Sequence, residues 1–510
     1  RHTRSCLKSR GLGDVYKRQL LKYAPGAFAN ENGPLTGISQ YRGMSASRVN
    51  TLVDGLNVSP ACPNWMDPPL SFIPTSDLHE VVVDRGITPV SAGSESIGGT
   101  IRANPRQGTF GAGKSFEPHG IIGLGGQTVD SGYDGNALLW LSNDRHRFQI
   151  SGSYLRGDDF DAGKSEKVVP TNYERWNAGV GYGFQDGAQK SGLLYSFDKT
   201  GKTGVPALPM DIHSVDAHTF RASYENALGP VQLETRFHYI DGDHEMDNFS
   251  LRSPPRSIRG TEMRRLSEST ATDYAYDLRG SMALGPGEIR VGTDGWLPKY
   301  NAEIYNPDDP AFEIHNFDDV TRTRLGFFAE WAGELAENWN LAGGARYTRV
   351  SSDAGTVGAT GLGMNQANAD LLADAFNASD RGQVDDLLDL FLVLSLSLND
   401  NVTLELGAAR KQRAPSYQER YLWLPLESTA GLADGRNYVG DVYLDPETAY
   451  HFDLGLEATT RSFYFTPRLF YKRVDDYIQG TPLTSGPAVA FRNRAANMVK
   501  GLGFCQTNPT

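Results

Sequence analysis

Long stretches of this chain alternate apolar and polar residues with a period of two. Between residues 231 and 239, Val231, Leu233, Thr235, Phe237 and Tyr239 share one face, and Gln232, Glu234, Arg236 and His238 share the other. Trp176, Ala178, Val180, Tyr182 and Phe184 make a second apolar stripe, and Leu325, Phe327, Ala329 and Trp331 a third. Leu390 to Leu398 continues the pattern at every second position, and Val402, Leu404 and Leu406 resume it after Asn399-Asp400-Asn401. Successive side chains of an extended strand point to opposite faces, so each stretch predicts a strand with one apolar and one polar side. A soluble β-sandwich carries such stripes too. Here the strands are many and long, aromatics stand at strand ends (Trp331, Trp339, Tyr347), and tight turns such as 399–401 alternate with long polar loops over 241–272 and 351–387. Short turns on one side and long loops on the other mark a transmembrane β-barrel.

The first hundred residues read differently. Val49–Val53 predicts a short strand closed by Asp54-Gly55, and 78–83 another closed by Arg85-Gly86; a glycine-rich stretch, 93–99, leads into Thr100-Ile101-Arg102. This is the pattern of a small mixed α/β domain. We therefore divide the chain into an unassigned, artefact-like start over 1–19, a small domain over 20–112 and a barrel over 113–510. Residues 1–19 are basic, lack an apolar core and show neither period, so they are excluded from fold reasoning and from any signal-peptide reading. The tail from Gly501 loses the strand pattern, which leads us to expect an incomplete barrel with an open seam.

Composition narrows the function. The chain has 510 residues and a formal net charge of −12, which argues against a general nucleic-acid binder. Only 39 % of residues are hydrophobic and no run of 18 apolar residues occurs, so an ordinary transmembrane helix is excluded, while a barrel needs none. Three cysteines, Cys6, Cys62 and Cys505, do not make a disulfide framework, and a bridge between the two terminal ones carries little weight. Ser/His/Asp, paired-carboxylate and zinc constellations do not stand out, so no catalysis is assigned. Gly98-Gly99 lacks the Lys-Ser/Thr of a phosphate loop.

Four motifs in order carry a resemblance. Ile38-Ser-Gln-Tyr-Arg-Gly43, Arg48-Val-Asn-Thr-Leu-Val-Asp-Gly55, Ile73-Pro74 followed by Leu78-His-Glu-Val-Val-Val-Asp-Arg-Gly86, and Gly93-Ser-Glu-Ser-Ile-Gly-Gly-Thr-Ile101 resemble the plug domain of TonB-dependent outer-membrane receptors. Arg413-Ala-Pro415 with Glu419-Arg420, and Gly440 to Glu447, resemble late-barrel motifs of the same family. The resemblance covers residues 20 to 498. It implies a plug inside a barrel of 22 strands in outer-membrane lipid, importing a scarce ligand on energy delivered by the TonB complex. The TonB box that precedes such a plug, and the last strands with their terminal aromatic, are not found in this sequence.

Two pairs of soft donors stand out. Cys62 and Met66 lie four apart in Ser59-Pro-Ala-Cys-Pro-Asn-Trp-Met-Asp-Pro-Pro69, on one face if this is a helical turn, with Pro63 at its start and Pro68 just beyond its end. His244 and Met246 lie two apart on an extended segment and so also share a face. They are expected at the start of an external loop that folds down over the plug. Singly, each has a plainer role: cysteine and methionine fill cores, and a loop histidine is solvated. Together a thiolate, two thioethers and an imidazole suit Cu(I), not an oxygen-seeking ion. The same pairing resembles the TonB-dependent copper receptors, which implies copper ligation by Cys62, Met66, His244 and Met246. The alternative ligands are a siderophore, haem or cobalamin. Haem receptors of this class carry a histidine that this chain lacks between Pro415 and Pro446. A passive porin has no plug, and the plug motifs speak against it.

Overall fold

The computed structural model describes residues 4–8, 21–73, 77–163, 166–257, 259–427, 431–459, 464–484, 488–503 and 506–507. Pro74, Cys505 and most of 1–19 lie outside them. Long antiparallel strands follow one another in chain order from Glu117–Gly126 to Val489–Gly503. The strand order closes into a barrel, which corrects the expectation of an open seam.

The wall is an inside-out protein. Phe327, Val180 and Leu392 are 59 %, 54 % and 52 % exposed on its outer face, while Arg346 and Lys411 are almost wholly enclosed within. Lipid, not water, is the solvent those outer side chains suit. The strand Val231–Asp247 follows the expected facing: Phe237 is exposed outside, and His238, Ile240, His244 and Met246 are buried inside. Its preceding turn is tight, the ladder running to Leu228↔Val231. The outer loops are shorter than the sequence implied. Strands run on to Asp247 and resume at Leu266, and the region 351–387 contains a helix, Gln366–Asn377, because backbone polar groups there gain partners by extending the ladder or forming a helix.

The small domain sits in the lumen. Its main sheet runs Arg4–Lys8, Leu78–Asp84, Gly99–Pro105, Val49–Val53, Leu56–Asn57, with Val49–Val53 parallel to Gly99–Pro105 and the other pairs antiparallel. Arg4–Lys8, set aside on sequence grounds, pairs with Leu78–Asp84 and forms the edge of the sheet; backbone ladders need no side-chain alternation to form. Asp54 and Gly55 both take positive φ in the hairpin turn, as their sequence predicted. Gly98-Gly99 serves packing: a Cβ on Gly98 would stand 2.5 Å from the Arg48 carbonyl oxygen, and Gly99 has φ +118° against the Tyr41 ring. Wall residues Ala217, Ile240, Ala449 and Val474 join the plug core of Val53, Val81, Val83 and Ile101, so plug and wall share one apolar cluster.

Polar contacts pin the plug around the circumference. Arg85 donates to Thr466 at 2.8 Å, Ser91 to Glu330 at 2.7 Å, and Arg175 of the wall to the Ser71 carbonyl. Buried ion networks join plug and wall as well. Glu447 accepts from plug Arg48 at 2.7 Å and from Arg413 at 2.6 Å, and Arg413 also holds Glu419 at 2.8 Å. Plug Glu95 accepts from Arg322 and Arg324 and from the Ala414 amide.

Candidate metal centre

The plug segment after Leu56–Asn57 runs extended along the wall and then folds into a tight turn. The Trp65 amide donates to the Cys62 carbonyl at 2.9 Å, and Trp65 has φ +56°. This corrects the expected helical turn: Pro63 and Pro68 restrict the backbone, and a left-handed residue between Cys62 and Met66 breaks helical continuation. The turn is held instead by a side chain. Asp67 accepts from the amides of Ala61 at 2.8 Å and Cys62 at 3.0 Å, which folds the segment back on itself.

His244 and Met246 are not in a loop. They are inward residues near the end of the strand Val231–Asp247, paired across to Val215 and Ile212 beside a bulge at Ile212/Ser214. Being on a ladder fixes their direction, which a loop would not. The two pairs meet. Cys62, Met66 and Met246 pack in one buried cluster with Val205, Leu208 and Ile212, and Met210 lies against its edge. A sulfur of Cys62, a carboxylate oxygen of Asp67 and a ring nitrogen of His244 all lie within 4.8 Å of one another. Donor atoms on one tetrahedral ion stand about 3–4 Å apart, so small side-chain shifts would gather these three on a single ion. Asp67 is the member that sequence reading missed, although it follows Met66 directly; a carboxylate does not belong to a soft donor set, so nothing drew attention to it.

The environment is closed and apolar. Cys62 and His244 are 0 % exposed and Asp67 is 4 % exposed. Burial, with Asp67 nearby, pushes the Cys62 thiol well above its usual range. Burial likewise pushes the Asp67 carboxyl up to about 7, against the pull of the Cys62 and Ala61 amides. Both ring nitrogens of His244 lack hydrogen-bond partners among the described residues, and its Nδ1 stands 3.9 Å from Asp67, beyond hydrogen-bond reach. A buried imidazole is normally satisfied, and leaving it bare costs about 1–3 kcal/mol. A thiol, a carboxyl and a bare imidazole facing one another can take up a cation, which would favour their deprotonated forms.

A lid covers this cluster. Arg252 donates to the carbonyls of Leu208 at 2.7 Å and Val205 at 3.1 Å, and to Asp211 at 2.6 Å. Asp211 also accepts from the Val205 amide at 2.7 Å. The loop that presses Val205 and Leu208 onto the sulfurs is thus tied to the next loop by one guanidinium.

Comparison with known proteins agrees with the architecture. The family model described as TonB dependent receptor-like, beta-barrel matches residues 147–504, and the TonB-dependent receptor plug domain model matches 7–100. No curated protein matches the chain. Among solved structures, the copper transporter OprC aligns with a TM-score of 0.80 at 21 % identity, over 98 % of this chain and 77 % of that one. The Serratia marcescens hemophore receptor HasR aligns at 0.77 and 14 % identity, over 99 % and 79 %. The siderophore receptor PirA from Acinetobacter baumannii aligns at 0.70 and 14 %, over 99 % and 77 %. At these identities the likeness is one of fold. With a plug sheet pinned inside a lipid-facing β-barrel, and family models covering both parts, the chain belongs to the TonB-dependent receptors, transport proteins of the outer membrane.

Proposed function

We propose that this receptor captures a copper ion, as Cu(I), between plug and wall and imports it with energy supplied through TonB. Cys62 and Met66 would bind from the plug and His244 and Met246 from the wall, with Asp67 holding the turn and balancing charge. The observation that carries this reading is the meeting of a buried thiol with an imidazole whose two nitrogens lack partners, inside a methionine-lined cluster. Soft sulfur donors favour Cu(I) over magnesium, calcium or ferric iron. The likeness in fold to a protein named as a copper transporter is consistent with it.

The division of ligands explains how transport energy could release the ion. Three of the five groups belong to the plug and two to the wall, so shifting the plug relative to the wall separates the set at once. Binding would be tight while the plug is seated and weak once it moves. Metal analysis of the purified receptor after Cu(I) loading and desalting tests the assignment. One copper per chain is expected, and none for Cys62→Ser/His244→Ala. Full copper retention by that variant would remove the site from consideration.

A further inference from the structure

The wall strand that carries His244 presents a second inward histidine, His238, six residues earlier. At about 3.3 Å of rise per residue it lies about 20 Å closer to the Gly229-Pro230 turn. His238 is fully buried, and neither ring nitrogen has a hydrogen-bond partner among the described residues. Its Nε2 stands 3.7 Å from Oδ1 of Asp273, a buried carboxylate oxygen that is also unpartnered. The other oxygen of Asp273 accepts from the Ser59 amide at 2.8 Å. That separation is too long for a hydrogen bond, but two donors each about 2.1 Å from a shared ion stand about 3–4 Å apart.

The plug connects the two histidines. Ser59 lies against Asp273, Ala61 lies beside Gly242, and Cys62 faces His244, so residues 59–62 run along the wall from one to the other. Beyond His238 opens a cavity of about 310 Å³ between plug and wall. Its lining includes Ala275, the cross-strand partner of His238, and the carboxylates of Asp54, Glu80, Asp277 and Asp294. Arg236, Arg279 and Arg324 line it as well, so the cavity is polar and charged without being strongly of one sign.

We propose that His238 and Asp273 form a second binding station for the transported cation, between the capture cluster and the cavity below. The inference rests on the copper reading above. One imidazole and one carboxylate make a harder, poorer set than thiolate and thioethers, so the ion is held weakly there. Passage requires sites that accept an ion without trapping it, and a weaker second station meets that need.

The test compares His238→Gln and Asp273→Asn with the unaltered receptor, in cells for TonB-dependent accumulation of radiolabelled copper and as purified protein for copper stoichiometry. Both variants should retain one tightly bound copper, which also shows that they fold. Import should fall about tenfold, equivalent to about 1.4 kcal/mol of added barrier. Import at the unaltered rate by both variants would overturn the proposal. Loss of the tight copper in either variant would also overturn it, by making the pair part of the capture cluster. A receptor that binds no copper even unaltered would fail the copper reading itself, a result distinct from the other two. If one variant does not reach the membrane, the other decides.

Discussion

Glu95→Gln tests what seats the plug. In the native protein one carboxylate accepts from Arg322 and Arg324, at 3.1 Å for its Oε2 with each, and from the Ala414 amide at 3.2 Å, with all the side chains nearly enclosed. The amide keeps the shape but removes the charge, leaving two buried guanidinia without their counter-ion. Removing one partner of a buried pair costs about 3–5 kcal/mol. A second route gives a similar figure. Burial would raise the Glu95 carboxyl, but Arg322 and Arg324 outweigh it and hold it at about 2 instead of 4.5, about 3 kcal/mol at ~1.4 kcal/mol per pH unit. The sign follows: because the folded value is depressed, this stabilisation is complete above pH 4.5 and is lost as pH falls towards 2. Plug release is measured by denaturant titration in detergent, with protease cleavage of the plug as the signal. Glu95→Gln should shift release by about 3 kcal/mol at pH 7 and should flatten the fall seen in acid. Glu95→Gln/Arg322→Met should recover part of the loss, since replacing more of a buried ion cluster is milder than stranding a charge. Release of Glu95→Gln unchanged from that of the native protein at pH 7 would refute the account of plug seating.

Three further outcomes are expected. Cys62→Ser should weaken Cu(I) binding on the order of a hundredfold in chelator competition, taking about 3 kcal/mol as one ligand's share of ~10–16 kcal/mol for a four-ligand site; Met66→Leu should weaken it far less, and the reverse ranking would contradict the soft-thiolate assignment. Arg252→Ala frees the Val205 and Leu208 carbonyls and Asp211, so copper should enter and leave faster with little change in equilibrium affinity, as read by stopped-flow transfer to a chelator; unaltered exchange would mean that the loop does not gate the site. Phe237→Arg, on the outer face, should destabilise the barrel in lipid by up to about 2–4 kcal/mol in refolding titrations, whereas Arg236→Ala on the lumenal face should not.

The alternation along 231–239 and 390–398 was enough to predict strands and their two faces, because side-chain direction in a strand depends only on the parity of position; the barrel needed strand number, terminal aromatics and loop lengths besides. The glycine and Asp-Gly turns of the plug were legible for a related reason: Asp54-Gly55 takes a conformation open to few other residue pairs. Both pairs of soft donors could be picked out, since each is local. Their setting was not. Four-residue spacing did not reveal that Cys62 and Met66 sit on a proline-bounded turn folded by Asp67, nor did a loop-like composition reveal that His244 and Met246 are ladder residues. Arg48 meets Glu447, and Glu95 meets Arg322, across 399 and 227 positions of chain. The bare nitrogens of His238 and His244 are equally invisible in one dimension, because they depend on which groups fail to approach. Periodicity is written along the backbone, whereas ion pairing, burial and coordination are decided by neighbours that only closure of the barrel around the plug brings together.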